Sequence, residues 1–210
     1  TLSGETIDYG PCAFMEAYDP AAVFSSIDHH GRYAYGKQAG IARWNLARLA
    51  ETLLPLIDAD TQRAVQLATE VIDAFPDRHA AHWLAVFRAK LGLDETGDAE
   101  ADRTLIDDFL LTLKHNRLDF TLAFRALTAA AAGDATRLRY LMADAPDFAD
   151  WQARWHARQP TRSPALLATM QRANPAYIPR NHRVEAALDA AGEHNDLAPF
   201  ERLLAVIQAP

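Results

Sequence analysis

Cysteine is nearly absent from this chain: one residue, Cys12, in 210. No disulfide can close within it, and a reducing compartment suits such a sequence. Long apolar runs are absent too. None approaches the roughly 20 residues that a membrane-spanning helix needs, so no membrane partner is expected. The opening stretch, TLSGETID, has neither the basic nor the apolar region of a signal peptide, and no initiator Met. A cytoplasmic, bacterial-type setting is the expectation, and the chain reads as a piece cut from a longer protein. An excess of basic residues is missing as well. Lys and Arg number 21 against 28 Asp and Glu, for a net charge of −7. The basic residues are scattered, which argues against a nucleic-acid or anionic-membrane surface as the main role.

What the chain does have is helix-forming material. Half of its residues are hydrophobic and 23% are charged. Ala and Leu dominate, and both favour helix. Residues 1–40 stand apart, rich in Gly, Pro, Tyr and Asp, as in DYGPCAFMEAYDP and IDHHGRYAYGKQAG. Turn signals at Gly10-Pro11, Asp19-Pro20, Gly31 and Gly36 predict an irregular segment, with a short strand at Glu5–Asp8. From Ile41 the apolar residues Trp44, Leu46, Leu49, Leu53 and Leu56 form a helical stripe, which Pro55 should bend or end. Further helices are predicted at about 59–75, 77–91, 98–114, 117–132, 134–143, 147–158, 163–173, 180–192 and 196–208. Asp77, Asp134 and Ser163-Pro164 are expected at helix starts, and Gly92 and Gly192 at left-handed C-terminal positions. The fold class is mainly α: an irregular segment at 1–40, then one helical domain at 41–210.

Residues that could carry chemistry each have a plainer reading. Asp8, in Thr-Ile-Asp-Tyr-Gly-Pro, has the shape of a kinase-type metal-binding turn, in which a hard oxygen ligand at a strand end holds Mg²⁺ against nucleotide phosphates. A tripeptide is a weak signal, and on pattern alone an ordinary turn residue is the better reading. His79 and His82 lie at i, i+3 on a predicted helix and could share a metal, but surface or structural roles fit better. His29 and His30 are adjacent and cannot easily face one ligand. Cys12 is close to Asp8 but has no His at a motif-like distance, so a small buried hydrophobe is the better reading. Trp151 and Trp155, at i, i+4, read as core packing. Arg43, Arg48, Arg125 and Arg180 could hold phosphates, although helical arginines more often pair with carboxylates. NPAYIP followed by RNH, at 174–182, reads as an ordered corner.

Several stretches together carry a resemblance: SGETIDYGPCAFMEAYDP, VFSSIDHHGRYAYGKQ and IARWNLARLAETLLPL near the start, then LDFTLAFRAL at 118–127 and NPAYIPRNHRVEAAL at 174–188. In these the chain resembles the selenoprotein O (SelO/YdiU) family. The resemblance implies a protein-kinase-like, pseudokinase-type fold that transfers AMP from ATP to hydroxyl side chains of protein substrates. The nucleotide would lie in the reverse of the usual kinase orientation. It implies that Asp8 is the metal-binding aspartate, holding Mg²⁺ (or Mn²⁺) against the ATP phosphates, and that residues 1–40 are the metal-binding turn and an activation-like segment.

The family pairs that aspartate with an Asn and a catalytic Asp a short way upstream, and only seven residues precede Asp8 here. Those partners, the glycine-rich loop, and the lysine and arginines that hold phosphates are expected outside this chain, as is a Cys or selenocysteine near the family's C-terminus. The expectation is therefore a helical C-lobe with a C-terminal extension, inactive alone, with no catalytic residue beyond the ligand Asp8. Without N-lobe partners, residues 1–12 should be mobile or displaced, while parts of 13–40 stay docked on the helices. A non-catalytic helical scaffold for a protein partner, or an ordinary phosphoryl-transferring kinase, are the alternatives.

Overall fold

The structure, a computed structural model, describes residues 13–159 and 164–208. The expected strand at 5–8, Asp8, Cys12 and Ser163 lie outside the described residues. Among those residues the chain is helical: α1 (Gln38–Ile57), α2 (Thr61–Asp73), α3 (Phe75–Leu91), α4 (Ala99–His115), α5 (Phe120–Ala131), α6 (Thr136–Leu141), α7 (Phe148–Arg158), α8 (Pro164–Ala173), α9 (Asn181–His194) and α10 (Ala198–Gln208). Residues 13–34 are irregular apart from one antiparallel bridge between Ala17 and Asp119, and a 3-10 turn at Tyr35–Lys37 leads into α1.

Aspartates start several helices. Asp60 accepts from the N–H groups of Gln62 and Arg63, Asp98 from that of Ala101, and Asp119 from that of Leu122. Each cap satisfies donors that the first helical turn leaves free. Asp134 accepts from Thr136 N–H at 3.0 Å, as expected. Asp77 is not a cap: α3 begins two residues earlier, at Phe75, and Asp77 lies in its first turn, where a carboxylate still opposes the helix dipole. Gly92 is left-handed, with φ of 67°. Gly192 is not. Helix α9 runs through it to His194, and Asn195 takes the left-handed position at φ 53°, which its short polar side chain tolerates. Pro55 sits inside α1, but the helix ends two residues later, so its disruption is confined to the last turn.

The chain divides into two compact units, one of Pro20–Phe87 and one of Thr1–Asp19 with Arg88–Pro210. The first contains α1, α2 and most of α3. Arg43 bonds Asp73 at 2.7 Å across α1 and α2. Leu46, Leu49, Leu53, Leu67, Val71 and Phe75 are among the residues that line a cavity of about 420 Å³, and no residue of α1 is buried. The Asp28 carboxylate accepts from Tyr33 and Arg32 N–H at 2.8 Å each, and these bonds, Tyr33's first, hold it below the usual carboxylate range.

The second unit has the larger core. Ile106 and Phe109 of α4, Phe124 and Leu127 of α5, Trp151 and Trp155 of α7 and Met170 of α8 are buried. Phe109 stacks on Trp151 at 4.6 Å and meets Phe124 edge-on at 5.2 Å. A buried indole N–H needs an acceptor. Trp151 donates to Leu105 O and Trp155 to Leu91 O, each at 2.8 Å, so both tryptophans pack in the core as the sequence predicts. Beside this layer Asp102 is fully buried between two arginines. Arg88 Nε donates to it at 2.7 Å, and Arg158 donates through Nε at 2.6 Å and Nη2 at 3.0 Å. Arg88 and Arg158 spend further donors on Gly97 O and Asp94, and Asp102, first among the causes, pushes the Arg158 guanidinium up. A Cβ at Gly97 would meet the Arg158 guanidinium, which would have to shift to admit it.

Candidate functional site

Asp8 lies outside the described residues, which begin five positions after it. Among the described residues no three His, Cys, Asp or Glu side chains are grouped to hold a metal ion. The described residues by themselves therefore form no Mg²⁺ site. His29, His30, His79 and His82 are exposed, and the His79 ring lies 6.0 Å from Phe75.

Residues 14–18 are pinned at several points within their unit. Phe14 N–H donates to Asn181 Oδ1 at 3.0 Å, and Asn181 Nδ2 returns a bond to Phe14 O at 3.1 Å. The side-chain amide thus mimics a neighbouring strand. Two residues on, Phe120 N–H donates to Glu16 O at 2.8 Å and Tyr18 N–H to Leu118 O at 3.0 Å. The Tyr18 ring stacks on Phe120 at 5.9 Å. Leu118 and Asp119 can face this segment because the chain reverses sharply after α4. Arg117 takes φ 51° there, and Leu118 N–H closes back onto Leu113 O at 2.9 Å.

Arg180 locks the arrangement. Its Nη1 donates to Asp119 Oδ2 at 2.6 Å and to Glu16 Oε1 at 3.1 Å, and the Asp119 bond, first among the causes, raises the guanidinium further. Asp119 serves two elements at once: Oδ1 caps α5 and Oδ2 takes Arg180. A further polar knot lies between α3, α5 and the end of α8. Asn174, fully buried, donates to Lys90 O at 2.8 Å and Thr128 Oγ1 at 2.9 Å, and Lys90 Nζ donates to Ala173 O at 2.8 Å. No carboxylate bonds Lys90 among the described residues, and burial pushes its amine down to about 8.

Of the arginines singled out from sequence, Arg43 and Arg48 sit in exposed ion pairs of the other unit. Arg125 and Arg180 come together. Both line a cavity of about 920 Å³ with Arg137, Arg183 and Arg202. Sequence reasoning missed those three, because they lie on three different helices with nothing in their spacing to join them. It also missed Glu16, Asp119 and Asn181, whose roles depend on pairing across more than a hundred residues of chain or on a cap. The expected corner at 174–182 is ordered, with Asn174 at one end and Arg180 and Asn181 at the other.

The sequence matches the family model described as "Protein adenylyltransferase SelO" over residues 1–208. The chain belongs to this protein adenylyltransferase SelO family. Three relatives carry the name protein nucleotidyltransferase YdiU. That of Chromobacterium violaceum is 51% identical over 213 residues, covering 100% of this chain and 44% of the relative. That of Mycolicibacterium paratuberculosis is 53% identical over 214 residues, covering 100% and 42%. One from Cereibacter sphaeroides is 52% identical over 210 residues, with the same two shares. The chain spans less than half the length of these SelO-family relatives. No helix among its described residues is long and apolar enough to cross a membrane.

Proposed function

We propose that this chain is the helical C-lobe and extension of a protein adenylyltransferase that moves AMP from ATP to Ser, Thr or Tyr hydroxyls of protein substrates. The observation that carries this reading is the family match over residues 1–208, which takes in the Thr-Ile-Asp-Tyr-Gly-Pro turn. In the transfer, the acceptor hydroxyl oxygen bonds to the α-phosphorus as the bond to the β-phosphate oxygen breaks. Pyrophosphate leaves, and the hydroxyl proton passes to a base, which the family resemblance puts outside this chain. A divalent cation, when bound, would offset the charge that develops on the phosphate oxygens. Asp8 is the residue of this chain that would hold it, and one carboxylate is not a complete site for an ion that demands near-octahedral oxygen coordination. The role of the described residues is to position. Asn181, Arg180 and the Ala17–Asp119 bridge fix the chain from residue 14 onward, on the segment that follows the Asp8 turn in sequence.

The test uses the full-length enzyme, its Asp8→Ala variant and the 210-residue chain alone, each with Mg²⁺ and a protein acceptor. With α-labelled ATP the enzyme should label the acceptor, and with γ-labelled ATP it should not. Asp8→Ala should lose on the order of a thousandfold in rate, since a metal ligand supplies several kcal/mol of transition-state stabilisation. The chain alone should transfer nothing. Label from γ-labelled ATP makes the protein an ordinary kinase, and full activity of Asp8→Ala removes Asp8 from the site.

A further inference from the structure

The cavity lined by Arg125, Arg137, Arg180, Arg183 and Arg202 stands out in a chain whose net charge is −7. Its arginines come from α5, α6, the start of α9, α9 itself and α10. One carboxylate, Asp119, shares the lining, and it is already bonded by Arg180 at 2.6 Å. Arg125 spends one donor on Asn174 O at 3.3 Å. Arg137, Arg183 and Arg202 are exposed and have no ion-pair partner among the described residues. Gathering this many guanidinium groups around one concavity costs repulsion, and the ion pairs to Asp119 and Glu16 offset it only at Arg180. Each guanidinium offers a planar fork of donors matched to phosphate or carboxylate oxygens. Between the arginines the wall is apolar, with Leu122, Ile178, Leu203 and Val206. The volume falls within the usual range for small-molecule pockets, roughly 300–1,000 Å³.

We infer that this cavity binds a small molecule carrying two or more phosphoryl groups. Convergence of the arginines on one hollow, rather than along a strip, suits a compact polyanion better than an extended acidic peptide. The inference does not rest on the reading of Asp8 as a nucleotide-site ligand. It would also act on the neighbouring segment, because Arg180 lines the cavity and holds Glu16 and Asp119 at once. An anion that draws on Arg180 is coupled to the anchoring of residues 14–18.

The test is calorimetric titration of the full-length protein with inorganic tripolyphosphate, in chelator and without divalent cations, on an Asp8→Ala background. That background removes metal-dependent phosphate binding at Asp8, so failure here is separable from failure of the transferase reading. Tripolyphosphate should bind in a step that weakens as salt rises and that the arginine variants diminish, apart from any binding by the lysine and arginines of the nucleotide site. The combined Arg137→Gln, Arg183→Gln and Arg202→Gln variant should bind at least about tenfold more weakly, as loss of three charge-assisted contacts implies. Should that variant fail to fold by circular dichroism, Arg183→Gln and Arg202→Gln singly should each weaken binding by about threefold or more. Absence of binding, affinity unchanged in the arginine variants, or tighter binding of a hexaglutamate peptide than of tripolyphosphate would each overturn the inference. The last would mark a site for acidic protein segments instead.

Discussion

Two arginine clusters in the same unit are built on opposite terms. Around Asp102 a fully buried carboxylate receives two guanidinium groups, and their remaining recorded donors end on Gly97 O and Asp94. Around the large cavity five arginines line the wall with one carboxylate, Asp119, which Arg180 bonds. The first cluster is closed and leaves nothing for a ligand. The second has donors without acceptors and room beside them. Arginine content alone does not separate structural from binding roles; the count of acceptors against donors does.

The sharpest way to break the comparison is at the closed cluster. Asp102→Ala strands Arg88 and Arg158, which are mostly shielded from solvent, without their shared counter-charge. Removing one partner of a buried ion pair costs about 3–5 kcal/mol, far more than the pair itself contributes. Urea denaturation should show a loss of that size. A loss near zero would mean that the two guanidinium groups escape to water, and that the cluster is not closed.

A smaller effect comes from Lys90, a cation with backbone and amide acceptors but no recorded carboxylate. Burial lowers its folded value to about 8 from 10.5, so the charged amine is disfavoured in the folded state. Between those values the unfolded chain holds the proton and the folded one does not, so stability rises with pH. From pH 7.5 to 9.5 the gain should be about 1–2 kcal/mol, allowing for partial solvent screening of a half-buried side chain. Lys90→Met should flatten that rise, since Met cannot titrate. Equal slopes for the two proteins would show that Lys90 stays solvated.

Most of the helical plan was legible because it is local. Apolar spacing marked the helices, and Trp151 and Trp155 were readable as core because they recur at i, i+4 in an amphipathic run. Where the plan slipped, the cause was a choice between equivalent signals. Gly192 and Asn195 both allow a left-handed turn, and only packing decides which is used. Of the stripe on α1, Leu46, Leu49 and Leu53 line the cavity against α2, whereas Trp44 and Leu56 do not, and none of its residues is buried. The candidate site was legible only through the family motif at Asp8. Its anchor depends on Asn181 imitating a strand for Phe14 across 167 positions, and the cavity on arginines from separate helices. Neither leaves a periodic trace.

The smallest effect should fall at the open cluster, and its sign is the informative part. Arg183 and Arg202 are exposed and pair with no carboxylate among the described residues, so their removal deletes no ion pair. What it deletes is repulsion among like charges around the cavity. Without ligand, Arg183→Ala and Arg202→Ala should therefore leave stability within about 0.5 kcal/mol of the parent, on the stabilising side at low salt. Raising salt should erase that gain, because exposed charges are screened over about 10 Å at 0.1 M. Saturating tripolyphosphate should reverse the order. It would stabilise the parent protein by mass action and the variants less, since a ligand stabilises only as far as it binds the folded state. A thermal shift series with and without tripolyphosphate, at two salt concentrations, reads all of these terms. If either substitution destabilises the ligand-free protein as strongly as Asp102→Ala, that arginine has a buried acceptor, and the two clusters are of one kind.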